Sequence, residues 1–327
     1  MVCGTQTTAK AVAGVPTGDY KRKFGMHPFL LLEINIYIFA FKILFMETQL
    51  NEISEQQKET WNKFSSGWKK WDDFTMNFLR PMGDAIIAEL NIGVNDIVLD
   101  VACGTGEPGL TIAAMAKNGK VVGTDVADKM LEIARENAES KQLKNYDTKV
   151  CDVCELPFDE NTFDKISCRM GFMFFPDMQL AANEIYRVLK PRGKMATSVW
   201  SVPEKNVWVT AIMGIINKNM QPPPPPPGAP GMFRCAAPGF IKSLMEKSGF
   251  KNIKEQEVNG KVVYKDFEYM WGMMNEVAAP VVGALSKADD EMRQKIKNEA
   301  AEFSKKYITD KGLELDYGAI VISGSKQ

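Results

Sequence analysis

The stretch Val98-Leu99-Asp100-Val101-Ala102-Cys103-Gly104-Thr105-Gly106-Glu107-Pro108-Gly109 begins as an apolar, strand-like run and ends in glycines that lead into a helix. Strand, tight glycine turn and helix, in that order, form the first unit of an open parallel sheet that takes ligands at its carboxyl edge. Downstream, residues 120–124, 148–151, 163–169 and 194–200 read as further strands, with helices at 109–117, 127–141 and 178–189 between them. That alternation defines an α/β protein with a Rossmann-like doubly wound sheet. Residues 251–264 and 313–323 add two strands, so seven are expected. A helical segment precedes the sheet, and a helical insertion over 266–306, two helices parted near Pro280, precedes the last strand.

Gly104, Gly106 and Gly109 fit the spacing G-x-G-x-x-G, and Asp125 follows where an acid binds ribose hydroxyls. Spacing alone therefore admits a nicotinamide-dependent oxidoreductase. Three residues argue against it. A dinucleotide sets its pyrophosphate on free amides at the helix N-terminus. Here Pro108 removes one donor, while Glu107 and Asp100 bring negative charge. Such a loop suits a cation without phosphate. S-adenosylmethionine, with its ammonium and sulfonium, has that chemistry.

The chain has 327 residues, enough for one large α/β domain with insertions. Lys+Arg 40 against Asp+Glu 41 leaves a net charge of -1, so the broad positive field of a nucleic-acid binder is absent. Six cysteines are too sparse for a disulfide framework. Cys151 and Cys154 form C-x-x-C, but no second ligand pair accompanies them, and no metal is expected. The one histidine is His27, which removes histidine-based mechanisms from the body of the chain.

Residues 1–45 stand apart as an N-terminal extension, ahead of a catalytic domain over 46–327. Lys21-Arg22-Lys23 precede an apolar run, 29–46, interrupted by Glu33, Asn35 and Lys42. The run reads as an anchor, a signal segment or a dispensable extension. Membrane contact is expected only there, and the rest in the cytoplasm. Residues 55–90 form a helical cap with Trp61, Phe64, Trp68, Trp71, Phe74 and Phe78 on one face. Gly67 interrupts this cap and Pro81 breaks it before a second helix at 82–90. Substrate-side insertions occupy 201–312. Among them Pro222 to Pro227 form a stiff loop expected near the site's rim, or a docking peptide for a proline-binding module.

With VLDVACGTGEPG, the segments VVGTDVADKMLEIARENA, CDVCELPFDENTFDKISCRMGFMFFPD and EIYRVLKPRGKMATSVW resemble the class I methyltransferases, in the group related to ubiquinone/menaquinone C-methyltransferases. The resemblance covers about residues 60–200. It implies S-adenosylmethionine as cofactor and S-adenosylhomocysteine as product. It places Gly104 and Gly106 against the methionine part, with Asp100 near its amino group, and counts Ala102 among the cofactor-binding residues. It further implies Asp125 on the ribose, Val126 and Met130 on the adenine, Asp152 at the adenine amine with Val153 beside it, and Arg169 facing cofactor or substrate. Catalytic residues stay unassigned, as does oligomeric state.

Methyl transfer from a sulfonium is an in-line displacement that depends mainly on alignment. After the fourth strand the run Cys168-Arg169-Met170-Gly171-Phe172 lacks N-P-P-[YFW], which argues against an amino-methylating DNA enzyme. Phe172-Met173-Phe174-Phe175, the aromatic cap and Met273–Met274 favour a small hydrophobic acceptor. A cofactor-binding protein without catalysis is the non-enzymatic alternative.

Overall fold

The computed structural model describes residues 28–226 and 228–327, with side chains from residue 48 onward. The chain divides into two units, Met1–Asn51 and Glu52–Gln327. Lys21-Arg22-Lys23, His27 and Pro227 lie outside the described residues, and the apolar run 29–46 is described only as helical backbone. Among the described residues no helix is long and apolar enough to cross a membrane.

Two helices, α1 (Pro28–Lys70) and α2 (Asp72–Leu90), precede the sheet. Then β1 (Ile97–Val101), α3 (Gly109–Met115), β2 (Lys120–Asp125), α4 (Asp128–Ser140), β3 (Tyr146–Val150), β4 (Phe163–Arg169), α5 (Met178–Val188) and β5 (Leu189–Trp200) alternate. Next come α6 (Val207–Met220), α7 (Phe240–Ser248) and β6 (Lys251–Tyr264). The chain ends with α8 (Phe267–Val277), α9 (Ala279–Leu285), α10 (Asp290–Ser304), β7 (Ile308–Thr309) and β8 (Gly312–Ser325). The sheet order is β3-β2-β1-β4-β5-β8-β6. Strands β1 to β5 pair in parallel, and β8 runs antiparallel between β5 and β6. Because the order reverses between β1 and β4, their carboxyl ends splay apart and leave a crevice.

Parallel strands covered on both faces read as continuous apolar runs. Val98 and Leu99, adjacent on β1, belong to separate apolar clusters on either side of the sheet. Thr75, Leu79, Met82, Gly83, Ile86 and Leu90 of α2 recur at helical spacing and are buried. They pack α2 onto β4, β5 and β8. The edge strand β6 is largely exposed, and its charged Lys254, Glu255, Glu257 and Lys261 discourage pairing with another sheet.

The seven expected strands form the main path of the sheet, and the structure corrects the reading of the helices around it. Among the described residues one short strand joins the seven, the two-residue β7 that folds back on the start of β8. Residues 266–306 hold three helices, because Pro280 opens α9 instead of separating two helices. The break in the helical cap falls at Trp71, with Pro81 inside α2. Trp71 leaves helical geometry (φ -102°, ψ 15°), its ring meets Tyr269 edge-on at 4.9 Å, and its Nε1 donates to Glu276 Oε2 at 3.0 Å.

Gly67 does not interrupt α1 either. A Cβ at this position would lie 2.3 Å from the carbonyl oxygen of Glu276 on α8, so glycine lets two helical backbones touch. Gly67→Ala should therefore lower stability by about 1–3 kcal/mol through overpacking, although alanine favours a helix by about 1 kcal/mol. Urea unfolding checks this; an unchanged or raised midpoint would mean that α1 is free to move away.

Candidate active site

The glycine loop leaves β1 through Ala102 (φ 52°) and Gly104 (φ 54°), both in the left-handed region. Behind it Asp100 is wholly buried. Its Oδ2 accepts from Gly109 N at 3.0 Å and its Oδ1 from Ser167 Oγ at 2.6 Å. Burial raises its pKa to about 7, against the lowering influence of Ser167 and the nearby Arg169. Gly106 (φ 114°) is a packing glycine: a Cβ there would sit 2.8 Å from Leu110. Gly104 differs, with open space where its Cβ would be.

The amides at the start of α3 are engaged within the protein. Gly109 N donates to Asp100, Leu110 N to Gly106 O, Thr111 N to Glu107 Oε2 at 3.1 Å, and Ile112 N to Pro108 O. Glu107 also accepts from Thr111 Oγ1 at 2.7 Å, so its carboxylate caps this helix turn. A phosphate would find neither a free donor nor a favourable charge there.

Two acids stand at the ends of the next strands. Asp125 accepts from Gly104 N at 3.0 Å through Oδ2 and from Ala127 N at 2.9 Å through Oδ1, and burial raises its pKa. Asp152 caps the turn Val153–Glu155 by accepting from Cys154 N at 2.8 Å, and also accepts from Ser54 Oγ on α1. Both acids thus act as turn caps while still facing one cavity. Ala102, Gly104, Val126, Met130, Val153 and Arg169 line the same cavity. Asp100 and Gly106 do not: they lie behind the wall, where they shape the loop. Arg169 donates to Met76 Sδ at 3.2 Å, and burial lowers its pKa against the opposing pull of Asp100, Glu107 and Asp72.

Much of the remaining lining is apolar. Trp61 and Trp68 come from α1, Phe78 from α2, Phe174 and Phe175 from the turn after β4, Trp200 from β5 and Trp208 from α6. Trp61 meets Phe174 edge-on at 5.1 Å, and Phe78 stacks on Trp200 at 5.8 Å. Met232, Met273 and Val277 complete this wall. The aromatic stripe read from the sequence divides: Trp61, Trp68 and Phe78 face the cavity, while Phe74 and Trp71 pack on Tyr269. Phe172 and Met173 are core residues. Ser54, Gln57, Thr75, Trp208 and Met232 also line the cavity and carried no sequence signal, being single residues on helices or loops remote from the motifs.

Cys151 lines the cavity and Cys154 donates to Asp177 O; both are free thiols. Burial pushes their pKa values up to about 11 and about 12, so neither is a thiolate at neutral pH. Among the described residues no group of three His, Cys, Asp or Glu could hold a metal ion. The exposed prolines from Pro222 to Pro226 lead to Gly231, whose N–H donates to Met173 O at 3.1 Å, next to Met232 in the cavity wall.

Residues 92–221 match a family described as a methyltransferase domain. Over that stretch the chain is similar to methyltransferase domains. It is also similar to demethylmenaquinone methyltransferases. The demethylmenaquinone methyltransferase of Oceanobacillus iheyensis is 30% identical over 155 residues, 46% of this chain and 65% of that protein. The enzyme of the same name from Bacillus cereus is 38% identical over 106 residues, 32% of this chain and 45% of its own length. The chain thus spans less than two thirds of the length of either relative. The crystal structure of the YcgJ protein from Bacillus subtilis shares the fold, with a TM-score of 0.51 at 20% identity over 75% of this chain and 97% of that one.

The raised pKa of Asp100 has a consequence for stability. Between the ordinary carboxylate value, about 4, and about 7, the folded protein keeps a proton that the unfolded chain has released. Stability from this group is therefore full below pH 4 and falls as pH rises to 7. Asp100→Asn, which cannot titrate, removes the effect. In urea unfolding of the unliganded protein, wild type should lose on the order of 2 kcal/mol relative to this variant between pH 5 and pH 8. A constant difference would mean that Asp100 is ionised throughout.

Proposed function

We propose that the protein transfers the methyl group of S-adenosylmethionine to a small apolar acceptor and releases S-adenosylhomocysteine. The observation that carries this reading is the glycine loop: its helix-terminal amides are internally engaged, while Asp125 and Asp152 face the cavity beside it. This favours a nucleoside ligand with a cationic tail over a dinucleotide. The demethylmenaquinone methyltransferases it resembles are named for an apolar ring acceptor, in keeping with the aromatic wall here.

The residues present fit the cofactor. The open space at Gly104 receives the methionine part beside Ala102. Each oxygen of Asp125 uses one lone-pair direction on a backbone amide and keeps another for a ribose hydroxyl. Val126, Met130 and Val153 pack on the base, and Asp152 accepts from its amine. Arg169 offers a guanidinium to the carboxylate end or to an oxygen of the acceptor. When bound, the cofactor supplies an electrophilic methyl group.

The chain's own contribution is alignment and dryness. Trp61, Trp68, Phe78, Phe174 and Trp208 hold a flat apolar acceptor at the open side of Gly104 and exclude water. The carboxylates that line the cavity, among the described residues, are Asp125 and Asp152, both at the cofactor end. The acceptor end thus offers alignment in place of a carboxylate base, which suits a nucleophile that reacts once positioned.

Titration calorimetry should show S-adenosylhomocysteine binding and none of NADH; the reverse result would overturn the reading. Asp125→Ala should weaken S-adenosylhomocysteine by about 1–3 kcal/mol. An unchanged affinity would remove Asp125 from the ribose. Incubation with isotopically labelled S-adenosylmethionine and cell extract should yield a labelled product that partitions into organic solvent. Binding without turnover would instead indicate a non-catalytic protein.

A further inference from the structure

Asp152 is held from two sides. Its Oδ1 accepts from Cys154 N at 2.8 Å, a contact three-dimensionally fixed by the turn that follows β3. Its Oδ2 accepts from Ser54 Oγ, which arrives from α1 across a sequence separation of 98 residues. One donor on each oxygen leaves the carboxyl plane a single orientation, and each oxygen retains a further lone-pair direction. Ser54, Gln57 and Asp152 all line the cavity. The position of α1 does not depend on this contact alone. Asn62 Nδ2 donates to Asp128 Oδ1 at 2.7 Å, and Asn62 Oδ1 accepts from Lys129 N at 3.1 Å, tying the same helix to the start of α4.

We propose that Ser54 is a positioning residue for base specificity: it fixes Asp152 so that the carboxylate accepts from the exocyclic amine of adenine and rejects a base with a carbonyl there. The inference rests on reading the cavity as the S-adenosylmethionine site. A carbonyl at that ring position faces the carboxylate with one acceptor against another and no hydrogen between them. A carboxylate free to turn about its Cβ–Cγ bond would escape this clash; one pinned at both oxygens does not. A pinned group also loses less freedom when the correct base arrives. Discrimination of this kind, by a polar group that the wrong ligand leaves unpaired, exceeds what shape alone provides.

Calorimetry with S-adenosylhomocysteine and its deaminated analogue S-inosylhomocysteine tests the proposal on wild type, Ser54→Ala, Ser54→Thr and Asp152→Ala. Wild type should prefer the adenine compound. Ser54→Ala should narrow that preference about tenfold, the scale of one hydrogen bond to a charged group, and Ser54→Thr should restore it because the hydroxyl returns. A general loss of packing would weaken both ligands alike and leave the ratio intact, which would overturn the proposal. If Asp152→Ala abolishes the preference while Ser54→Ala keeps it, Ser54 has no part in specificity but the cofactor site stands. Failure of wild type to bind S-adenosylhomocysteine would remove the cofactor site itself.

Discussion

At the carboxyl end of β1 the buried carboxylate of Asp100 joins three elements that diverge there: its own strand, β4 through Ser167, and the first turn of α3 through Gly109. Taking this group out of water is costly unless its oxygens are satisfied, and two donors at 2.6 and 3.0 Å provide that. The glycine loop is stretched between these anchors, so its left-handed residues Ala102 and Gly104 point their backbone outward into the cavity. The carboxylate itself is not part of the cavity lining. Asp72, opening α2, reinforces the same loop from outside by accepting from Thr105 Oγ1 at 2.8 Å.

The sheet was readable because its signals are local. Each parallel strand is a short apolar run, and β4 and β6 fall on the residues the pattern predicts. Asp125, the last residue of β2, and Asp152, two residues past β3, reach the cavity for the same local reason, since a residue at a strand end has a fixed place on the sheet's edge. Asp100 and Gly106 show the limit of that logic. Spacing places them in the loop, but which loop residues face the cavity depends on whether a strand residue points along the sheet or under α3, and on Leu110 filling the space beside Gly106.

The apolar half of the cavity was much less legible. Its wall is assembled from α1, α2, β5, α6, α8, the turn after β4 and the loop that carries Met232, segments that share no motif and meet only through folding. Six aromatics at helical spacing could all have been core, and Trp71 and Phe74 are turned away because the helix breaks at Trp71. The break is tertiary in origin: it is where the indole reaches Glu276 and Tyr269, two residues some 200 positions away. Pro81, the stronger local signal, lies exposed within α2, which continues through it and is held to the sheet by buried residues on either side, Leu79 and Met82.

Gly67 gives this arrangement a mechanical character. The bare Cα of Gly67 lies flush against the Glu276 carbonyl, and the Glu276 carboxylate is gripped by Lys70 Nζ at 2.7 Å and Trp71 Nε1 at 3.0 Å. The close approach at Gly67 and the polar grip from Lys70 and Trp71 therefore converge on a single residue of α8, so a side chain at position 67 would press on the very backbone whose carboxylate the next turn of α1 holds.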